Sequence, residues 1–360
     1  MHILAIETSC DETAASIAEG KGDAISIKTN IISSQIALHA QWGGVVPNLA
    51  AREHTKNIIP VLTEAITKAH VTKNDIDLIA VTNGPGLIPA LLSGVSAAKS
   101  LAFVWKKPLI GTHHIAGHIY ANWIDYAHEI IFPVLALVVS GGHTQLVLMR
   151  EHYHFQIIGQ TQDDAVGEAF DKVARILGLG YPGGPIISER AAIFEKTQKS
   201  TSITLPRPMQ HSGDLNFSFS GIKTAVLYVV KNYRKEHNLT DDTPLPQDFI
   251  DAVAYAFQTA IVDILTQKTL TAIRESNAKS IVLAGGVSAN TQLREFLQKT
   301  IATDFPSIKF FAPPMEYCLD NAAMIAAATY YKWHKMNKIE KESAQNGWQN
   351  IVAHARYTLD

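Results

Sequence analysis

The sequence has little cysteine, little net charge and no long uninterrupted apolar stretch. Cys10 and Cys318 are its only cysteines, too few for a disulfide framework and typical of a reducing compartment. Because 31 Lys and Arg residues nearly balance 33 Asp and Glu residues, a nucleic-acid partner would need a local basic patch or help from another protein. No uncharged apolar run reaches the roughly 18 residues of a membrane span, and the first residues lack the basic start of a secretory signal. We therefore expect a soluble, cytoplasmic protein without a membrane segment.

Two short patterns occur twice in the same order. LAIETSCDET (4–13) aligns with LALVVSGGHT (135–144), and each is an apolar strand followed by a polar turn. LIAVTNGPG (78–86) and SIVLAGGVS (280–288) are apolar strands that end in glycines, as in parallel sheets with a ligand at the carboxyl end. The shared order indicates an internal duplication.

The duplication predicts an α/β protein of two lobes with a cleft between them. We expect an N-terminal lobe over 1–130, joined by a helix over 321–345, a C-terminal lobe over 131–320 and a polar extension over 335–360. Apolar periodicity predicts helices over 48–69, 87–104, 165–177, 248–275 and 321–334, and composition predicts loops over 197–214 and 236–247.

The segment HHIAGH (113–118) suggests a metal site. If it is helical, His114 and His118 lie on one face with about 5–6 Å between their Cβ atoms. Two such imidazoles can share one divalent cation. Asp320, just before the Ala-rich helix, is the leading candidate for a third ligand. The alternatives are histidines that face solvent or cap backbone groups and an aspartate that only caps its helix.

Two turns of the repeat carry polar groups. Gly141 and Gly142 allow positive φ and close backbone approach, so their N–H groups could hold a phosphate or carbonyl oxygen. His143 follows them and could donate a proton or hold an acyl oxygen. Asp11 and Glu12 occupy the matching turn, where they could act as a base or bind a metal-bound water. All of these residues would also suit plain solvent-exposed turns.

Three further segments allow a nucleotide site. GGVSAN (285–290) opens a helix and so favours an anion, although it is not a G-x-G-x-x-G fingerprint and the chain contains no P-loop pattern. The helix that carries Asp171 runs into a glycine-rich loop, where Asp171 could hold ribose hydroxyls or the loop could be a flexible connection. In NFSFSGIKT (216–224) an edge strand is favoured over a nucleotide contact through Phe217, Phe219 and Lys223.

Seven strings, in this order, resemble the bacterial form of the tRNA threonylcarbamoyladenosine transferase TsaD family, from Met1 to about Ala328. They are IETSCDET, NGPGLIPALLSGVSAAKSLA, HHIAGH, VSGGHTQL, GEAFDKVARILGLGYPGGP, NFSFSGIKTA and GGVSANTQLR. The resemblance implies the duplicated two-lobe fold of sugar kinases, chaperone ATPases and actin. It implies transfer of threonylcarbamoyl from threonylcarbamoyl-AMP to the exocyclic amine of the adenosine 3′ of the anticodon, in tRNAs that read codons beginning with A.

The resemblance also implies functional residues. His114, His118 and Asp320 match the ligands of one divalent metal per subunit, with Fe(II) favoured over Zn. The implied substrate-binding positions are Val138, Val139, Ser140, Gly141, Gly142, Asp171, Gly184 and Asn290. Asp11, Glu12 or His143 would take the proton lost from the amine. Two positions depart from the family: Val138 replaces an archaeal and eukaryotic tyrosine, and Ser188 replaces an acid of many bacterial members, which puts one ribose contact in question.

The implied partners are tRNA, threonylcarbamoyl-AMP, the paralogue TsaB and the small ATPase TsaE. Lys223, Lys231, Arg234 and Lys235 form the basic cluster that we expect to contact tRNA. The alternatives are an ATP-dependent kinase of the same fold, a nucleotide-binding scaffold and a metalloendopeptidase. The last is disfavoured, because the H-E-x-x-H pattern needs a glutamate after the first histidine and Ile115 stands there.

Overall fold

The computed structural model describes residues 1–197 and 200–359, which contain two five-stranded mixed sheets. The strands of the first sheet are His2–Glu7 (β1), Glu12–Lys21 (β2), Ala24–Ser34 (β3), Leu78–Gly84 (β4) and Leu109–His113 (β5). The strands of the second sheet are Val134–Val139 (β6), Thr144–Met149 (β7), Phe155–Gln160 (β8), Ser280–Ala284 (β9) and Lys309–Phe311 (β10).

Helices cover both sheets. They are Ile36–Ala40 (α1), Pro47–Lys68 (α2), Ile88–Trp105 (α3), His114–Tyr120 (α4), Trp123–Tyr126 (α5), Val166–Ile176 (α6), Gly183–Lys196 (α7), Ser220–Glu236 (α8), Gln247–Ser276 (α9), Thr291–Asp304 (α10), Ala322–Lys335 (α11) and Lys338–Asn346 (α12), with 3₁₀ turns at Gly286–Ala289, Met315–Tyr317 and Trp348–Asn350. The helices predicted from apolar periodicity all form within a residue or two of their predicted ends. The predicted loop over 197–214 contains no helix or strand in its described residues, while Gln198 and Lys199 lie outside them.

The two sheets repeat one topology, which confirms the predicted duplication and the two-lobe α/β fold. The first sheet has the order β3-β2-β1-β4-β5, and the second has the equivalent order β8-β7-β6-β9-β10. In the first sheet Leu4 of β1 pairs in parallel with Ile79 of β4. In the second, Leu135 of β6 pairs in the same way with Ile281 of β9. These four residues are the ones that the sequence alignment of the repeats makes equivalent, whereas the bounds of the lobes stay a prediction.

Helices α4 and α11 lie in the apolar cluster that joins the two sheets. This cluster contains Ile3 from β1 and Ala136 from β6 together with Ile119 of α4 and Ile325 of α11. Two further clusters lie on the outer faces, one under α2 and α3 and the other under α6, α8 and α9. Because the central strands are covered on both faces, they are continuous apolar runs rather than alternating ones. The central cluster fixes α4 and α11 beside the cleft.

The segment 216–224 does not form the expected edge strand. Phe217 and Phe219 are fully buried in the cluster of the second sheet, and Phe217 makes only an isolated bridge with Thr161. Helix α8 begins at Ser220, so the rest of the segment is helical. The alternation of Phe and Ser therefore reflects two core side chains, and neither ring can stack on a ligand.

Two helices are long and apolar enough to cross a membrane by length and composition alone. They are α3, which contains Lys99, and α9, whose charged residues include Asp251, Asp263 and Lys268. Helix α9 is a core helix, with 72% of its most apolar window buried, and the core helices of soluble proteins pass the same test. Two such helices are weak evidence for a membrane span.

Gly167, in the first turn of α6, lies against the Ser140–His143 turn. A Cβ atom at Gly167 would lie 2.8 Å from both Gly141 Cα and the carbonyl oxygen of Ser140. We therefore expect Gly167→Ala to lower the free energy of unfolding by about 1–3 kcal/mol, the typical cost of overpacking. Gly184→Ala is the control, because Gly184 lies in the first turn of α7 and a Cβ atom there would have no neighbouring atom within 4 Å. Equal stability of the two variants in chemical denaturation would contradict this account.

Candidate metal centre and cleft

Helix α4 begins where strand β5 ends, and its start fixes the two histidines. The His113 side chain accepts a hydrogen bond from the Ile115 N–H and caps the helix. His114 and His118 are then one turn apart on one face, with their ring centroids 4.7 Å apart. Both side chains are buried, so the interpretation of histidines that face solvent is wrong.

Asp320 reaches the same place from the segment before α11. It does not cap that helix, because the Asn321 side chain accepts the hydrogen bond from the Met324 N–H instead. The Asp320 carboxylate oxygen Oδ1 lies 3.1 Å from His118 Nε2 and 3.6 Å from His114 Nε2. The alternative in which Asp320 serves only as a helix cap is therefore wrong.

Gly117 allows α4 and α11 to approach closely enough for this contact. A Cβ atom at Gly117 would lie 2.8 Å from Ile325 Cδ1 and 3.2 Å from Met324 Cγ, both on α11. A larger residue would have to push these side chains aside. Glycine has a low helix propensity, but at this position it allows the two helices to pack closely.

His114, His118 and Asp320 together can hold a divalent metal. Their ligand atoms all lie within 4.8 Å of one another. Two imidazole nitrogens and one carboxylate oxygen are a donor set that suits zinc and iron, and three protein ligands are typical of catalytic sites that keep a position open. The chemistry of the donor set therefore fits the metal that the sequence resemblance implies.

The opposite charges of His114 and Asp320 shift the pKa of each residue toward its charged form. Burial alone would lower the pKa of His114, but the carboxylates of Asp320 and Glu7 raise it to about 9. Burial alone would raise the pKa of Asp320, but the charge of His114 and the hydrogen bond from His118 lower it to about 2. In His118 the burial dominates and lowers the pKa. Asp320 is therefore ionised and ready to bind a cation at neutral pH.

Glu7 contacts the candidate site, and the sequence analysis did not single it out. It ends strand β1 fully buried, and its carboxylate accepts hydrogen bonds from the Ser9 N–H and from Thr82 Oγ1, the latter at 2.5 Å. His114 Nδ1 lies 3.2 Å from Glu7 Oε2, so His114 Nε2 is left to face Asp320. Carboxylates that hold the second nitrogen of a ligating histidine fix its orientation and tautomer. The available signal was an acid at the end of the apolar strand ILAIE.

The glycine turns of the second sheet converge beside β6. Gly285 has φ 90°, and a side chain there would clash with the carbonyl oxygen of Val139. Neither Gly141 nor Gly142 has a positive φ, so the expectation of a positive φ in this turn is wrong. The close backbone approach to the turn comes from Gly167. Gly141 and Gly142 themselves are exposed.

The remaining residues of the turn differ in what they can offer a ligand. The side chains of Val138 and Val139 are buried in different apolar clusters, so only their backbone could contact a ligand. The Ser140 N–H donates to the carbonyl oxygen of His143 at 2.8 Å, which closes the turn.

A cavity of about 570 Å³ opens between the metal ligands and this turn. Its lining includes His114, Asp320, Gly141, Gly142, His143 and Arg356. This volume is within the range of small-molecule sites, roughly 300–1,000 Å³. Both lobes thus contribute to a pocket large enough for a nucleotide.

Of the three candidate proton acceptors, only His143 lines this cavity among the described residues. Burial lowers the pKa of His143 to about 4, so its imidazole is neutral at pH 7. Asp11 and Glu12 are buried, and Glu12 accepts a hydrogen bond from Ser34 Oγ at 3.1 Å. Burial and the charges of Asp320 and Asp11 raise the pKa of Glu12.

Asp171, Gly184 and Asn290 lie outside the described lining of this cavity. Asp171 Oδ1 accepts the Gly183 N–H at 2.7 Å and so holds the first turn of α7. The Asn290 amide donates to Ser188 Oγ at 2.9 Å, while its oxygen caps α10. The Ser188 hydroxyl is thus hydrogen-bonded to other side chains of the protein, accepting from Asn290 and donating to Gln258.

Only two of the four residues of the predicted basic cluster on α8 are exposed and could contact tRNA. Lys223 pairs with Asp164 at 3.1 Å, and Arg234 donates to the carbonyl oxygen of Thr243 at 2.7 Å. Lys231 and Lys235 are exposed.

Replacing Glu7 should weaken metal binding. We expect Glu7→Gln to lower metal affinity about 10- to 100-fold, because the neutral amide no longer stabilises the protonated Nδ1 of His114. Titration of the metal-free protein with Fe(II) or Zn measures this. Glu19→Gln is the control, since Glu19 pairs with His2 at the other end of β1. Unchanged affinity in a folded Glu7→Gln protein would show that Glu7 does not orient the site.

Comparison with known proteins gives a consistent result. The sequence model described as "TsaD: tRNA N6-adenosine threonylcarbamoyltransferase" matches residues 26–327. Proteins named tRNA N6-adenosine threonylcarbamoyltransferase include one from Bacillus subtilis, 49% identical over 91% of this chain and 89% of the relative. Another, from Thermosipho africanus, is 48% identical over 93% of this chain and 95% of the relative.

Solved structures show the fold only. The structure of T. kodakarensis HypF covers 92% of this chain with a TM-score of 0.57 and 12% identity. Full-length HypF in a phosphate- and nucleotide-bound form covers 93% with a TM-score of 0.58 and 14% identity. Each match spans about half of the HypF chain, 48% and 47% respectively.

Proposed function

This chain belongs to the tRNA N6-adenosine threonylcarbamoyltransferase family, and from that membership we propose how its cleft carries out the reaction. It is a transferase that modifies tRNA. The acyl donor is threonylcarbamoyl-AMP, and the acceptor is the exocyclic amine of the adenosine 3′ of the anticodon in tRNAs that read codons beginning with A. The amine nitrogen bonds to the carbamoyl carbon, the bond from that carbon to the phosphate oxygen breaks, and AMP leaves with the electron pair.

His114, His118 and Asp320 hold one divalent metal in this proposal, Fe(II) rather than Zn. When bound, such a metal supplies a Lewis acid that polarises a carbonyl oxygen. The convergence of these three side chains, of which His114 and Asp320 line the 570 Å³ cavity, is the observation that carries the proposal. The adenine amine is a weak nucleophile, so the site must hold both reactants in line.

The glycine turns hold the adenylate. The exposed Gly141 and Gly142, next to Ser140 and the backbone of Val138 and Val139, offer N–H groups without side chains to obstruct a ligand. Asp171 Oδ2 has no hydrogen-bond donor among the described residues, so it can accept a ribose hydroxyl near Gly184. Asn290 acts through the α10 N-terminus that it caps.

His143 takes the proton from the attacking amine. It lines the cavity together with His114 and Asp320, and its imidazole is neutral at pH 7, so that a ring nitrogen is free to accept a proton. Asp11 and Glu12 do not line the described cavity, so we assign them to the electrostatic environment of the site.

The partners are tRNA, the paralogue TsaB and the small ATPase TsaE, in the cytoplasm. Exposed apolar side chains on α2 and α3 support a protein partner: Ile59, Leu92 and Val104 are 64%, 48% and 69% exposed. Lys231 and Lys235 on α8 support a contact with tRNA phosphates.

Reconstitution tests this function. The metal-loaded protein is mixed with TsaB, TsaE, threonylcarbamoyl-AMP and unmodified tRNA, and the nucleosides are then analysed by mass. We expect threonylcarbamoyladenosine with the natural protein, and loss of both bound metal and transfer in His114→Ala, because one metal ligand is removed.

His128→Ala is the matched control, since His128 is exposed. Transfer by a metal-free His114→Ala protein would remove the metal from the mechanism. If the natural protein with all partners forms no modified nucleoside, the proposed function is wrong.

A further inference from the structure

The last described residues, 351–359, run across the carboxyl ends of β4 and β5, and we call them the C-terminal strap. The His354 N–H donates to the carbonyl oxygen of Asn83 at 2.8 Å, and Asn83 Nδ2 donates to the carbonyl oxygen of Val352 at 3.1 Å. His113 Nε2 donates to the carbonyl oxygen of Tyr357 at 3.0 Å, which is consistent with its Nδ1 accepting the cap of α4. The strap is thus held at both ends of its crossing.

Gly84 provides the surface on which the strap lies. Its φ is 151°, and any Cβ atom there would clash with the carbonyl oxygen of His354. Both features require glycine at this position. The strap is therefore built into the fold of the first lobe and is not a loosely attached tail.

Beyond this anchor the strap forms one wall of the cleft. Residues 355–359 line the same cavity as His114, Asp320 and His143. Leu359 packs against the apolar cluster that joins the two sheets. The strap consequently lies within reach of whatever binds beside the metal ligands.

Arg356 is the only Lys or Arg in the described lining of this cavity. In the described part of the chain its guanidinium has no ion pair and no hydrogen bond. An unpaired guanidinium at a cavity wall is suited to bidentate pairing with a phosphate or carboxylate.

We propose that Arg356 binds an anionic oxygen group of the acyl donor, so that the C-terminal strap is part of the substrate site. This inference rests on the proposed function, because threonylcarbamoyl-AMP carries both a phosphate and a threonine carboxylate. Either group presents the pair of oxygens that a guanidinium recognises. Arg356 then binds the acyl donor at a point separate from the three candidate metal ligands.

The test measures binding to the metal-loaded protein in its complex with TsaB and TsaE. Calorimetry with AMP reports on the phosphate, and calorimetry with N-carbamoyl-L-threonine reports on the carboxylate. We expect Arg356→Ala to weaken binding of one of these probes about 10- to 100-fold, the usual loss for a charged hydrogen-bonded pair. Arg356→Lys should lose less, because it keeps the charge but not the bidentate fork.

Arg150→Ala is the matched control, because Arg150 is exposed just beyond the end of β7 that lies away from the Ser140–His143 turn. Metal content should be unchanged in all three variants. Equal binding of each probe by Arg356→Ala and by the natural protein would overturn the inference. If the natural protein binds neither probe and transfers nothing, the proposed function itself is wrong. Failure of the inference about Arg356 alone would leave probe binding and transfer by the natural protein intact.

Discussion

The site depends on the close packing of α4 against α11. These helices are far apart along the chain, yet Gly117 lets them approach until Met324 and Ile325 fill the space that a side chain would need. That contact places His118 Nε2 3.1 Å from Asp320. Because both helices belong to the apolar cluster that joins the sheets, the stability of the core and the geometry of the ligands are linked. Loosening of this packing would move Asp320 away from the two imidazoles.

A chain of paired charges then orients the ligands. Glu7 holds His114 from the side of the first sheet, and Asp320 faces both imidazoles from the other side. A buried carboxylate is costly unless its lone pairs are satisfied, and Glu7 accepts from Ser9, Thr82 and His114. The site therefore holds one ionised carboxylate and two fixed imidazole rings in place before any cation arrives, and His114, whose pKa is raised to about 9, gives up a proton when a cation binds.

The sequence predicted the parts of this arrangement that arise from local patterns. Apolar periodicity and the repeated strings predicted the duplicated sheets, the helices and the spacing of His114 and His118. Contacts between distant segments could not be predicted in this way: Glu7 reads as an ordinary strand end until Thr82 and His114 surround it. Phe217 and Phe219 alternate as in a strand although both enter the core of the second lobe. Nothing in the sequence placed the strap over the cleft, because Asn83 and His113 anchor it through the strap's backbone atoms, whatever its side chains are.

The central claim is that one cation binds where α4 meets the segment that carries Asp320. The most direct measurement is an anomalous-difference map from crystals of the protein grown with Fe(II), recorded at the iron absorption edge. The account predicts one strong peak per chain, bonded to His114 Nε2, His118 and Asp320. A peak at another site, or full iron occupancy with Asp320 turned away from the imidazoles, would contradict it.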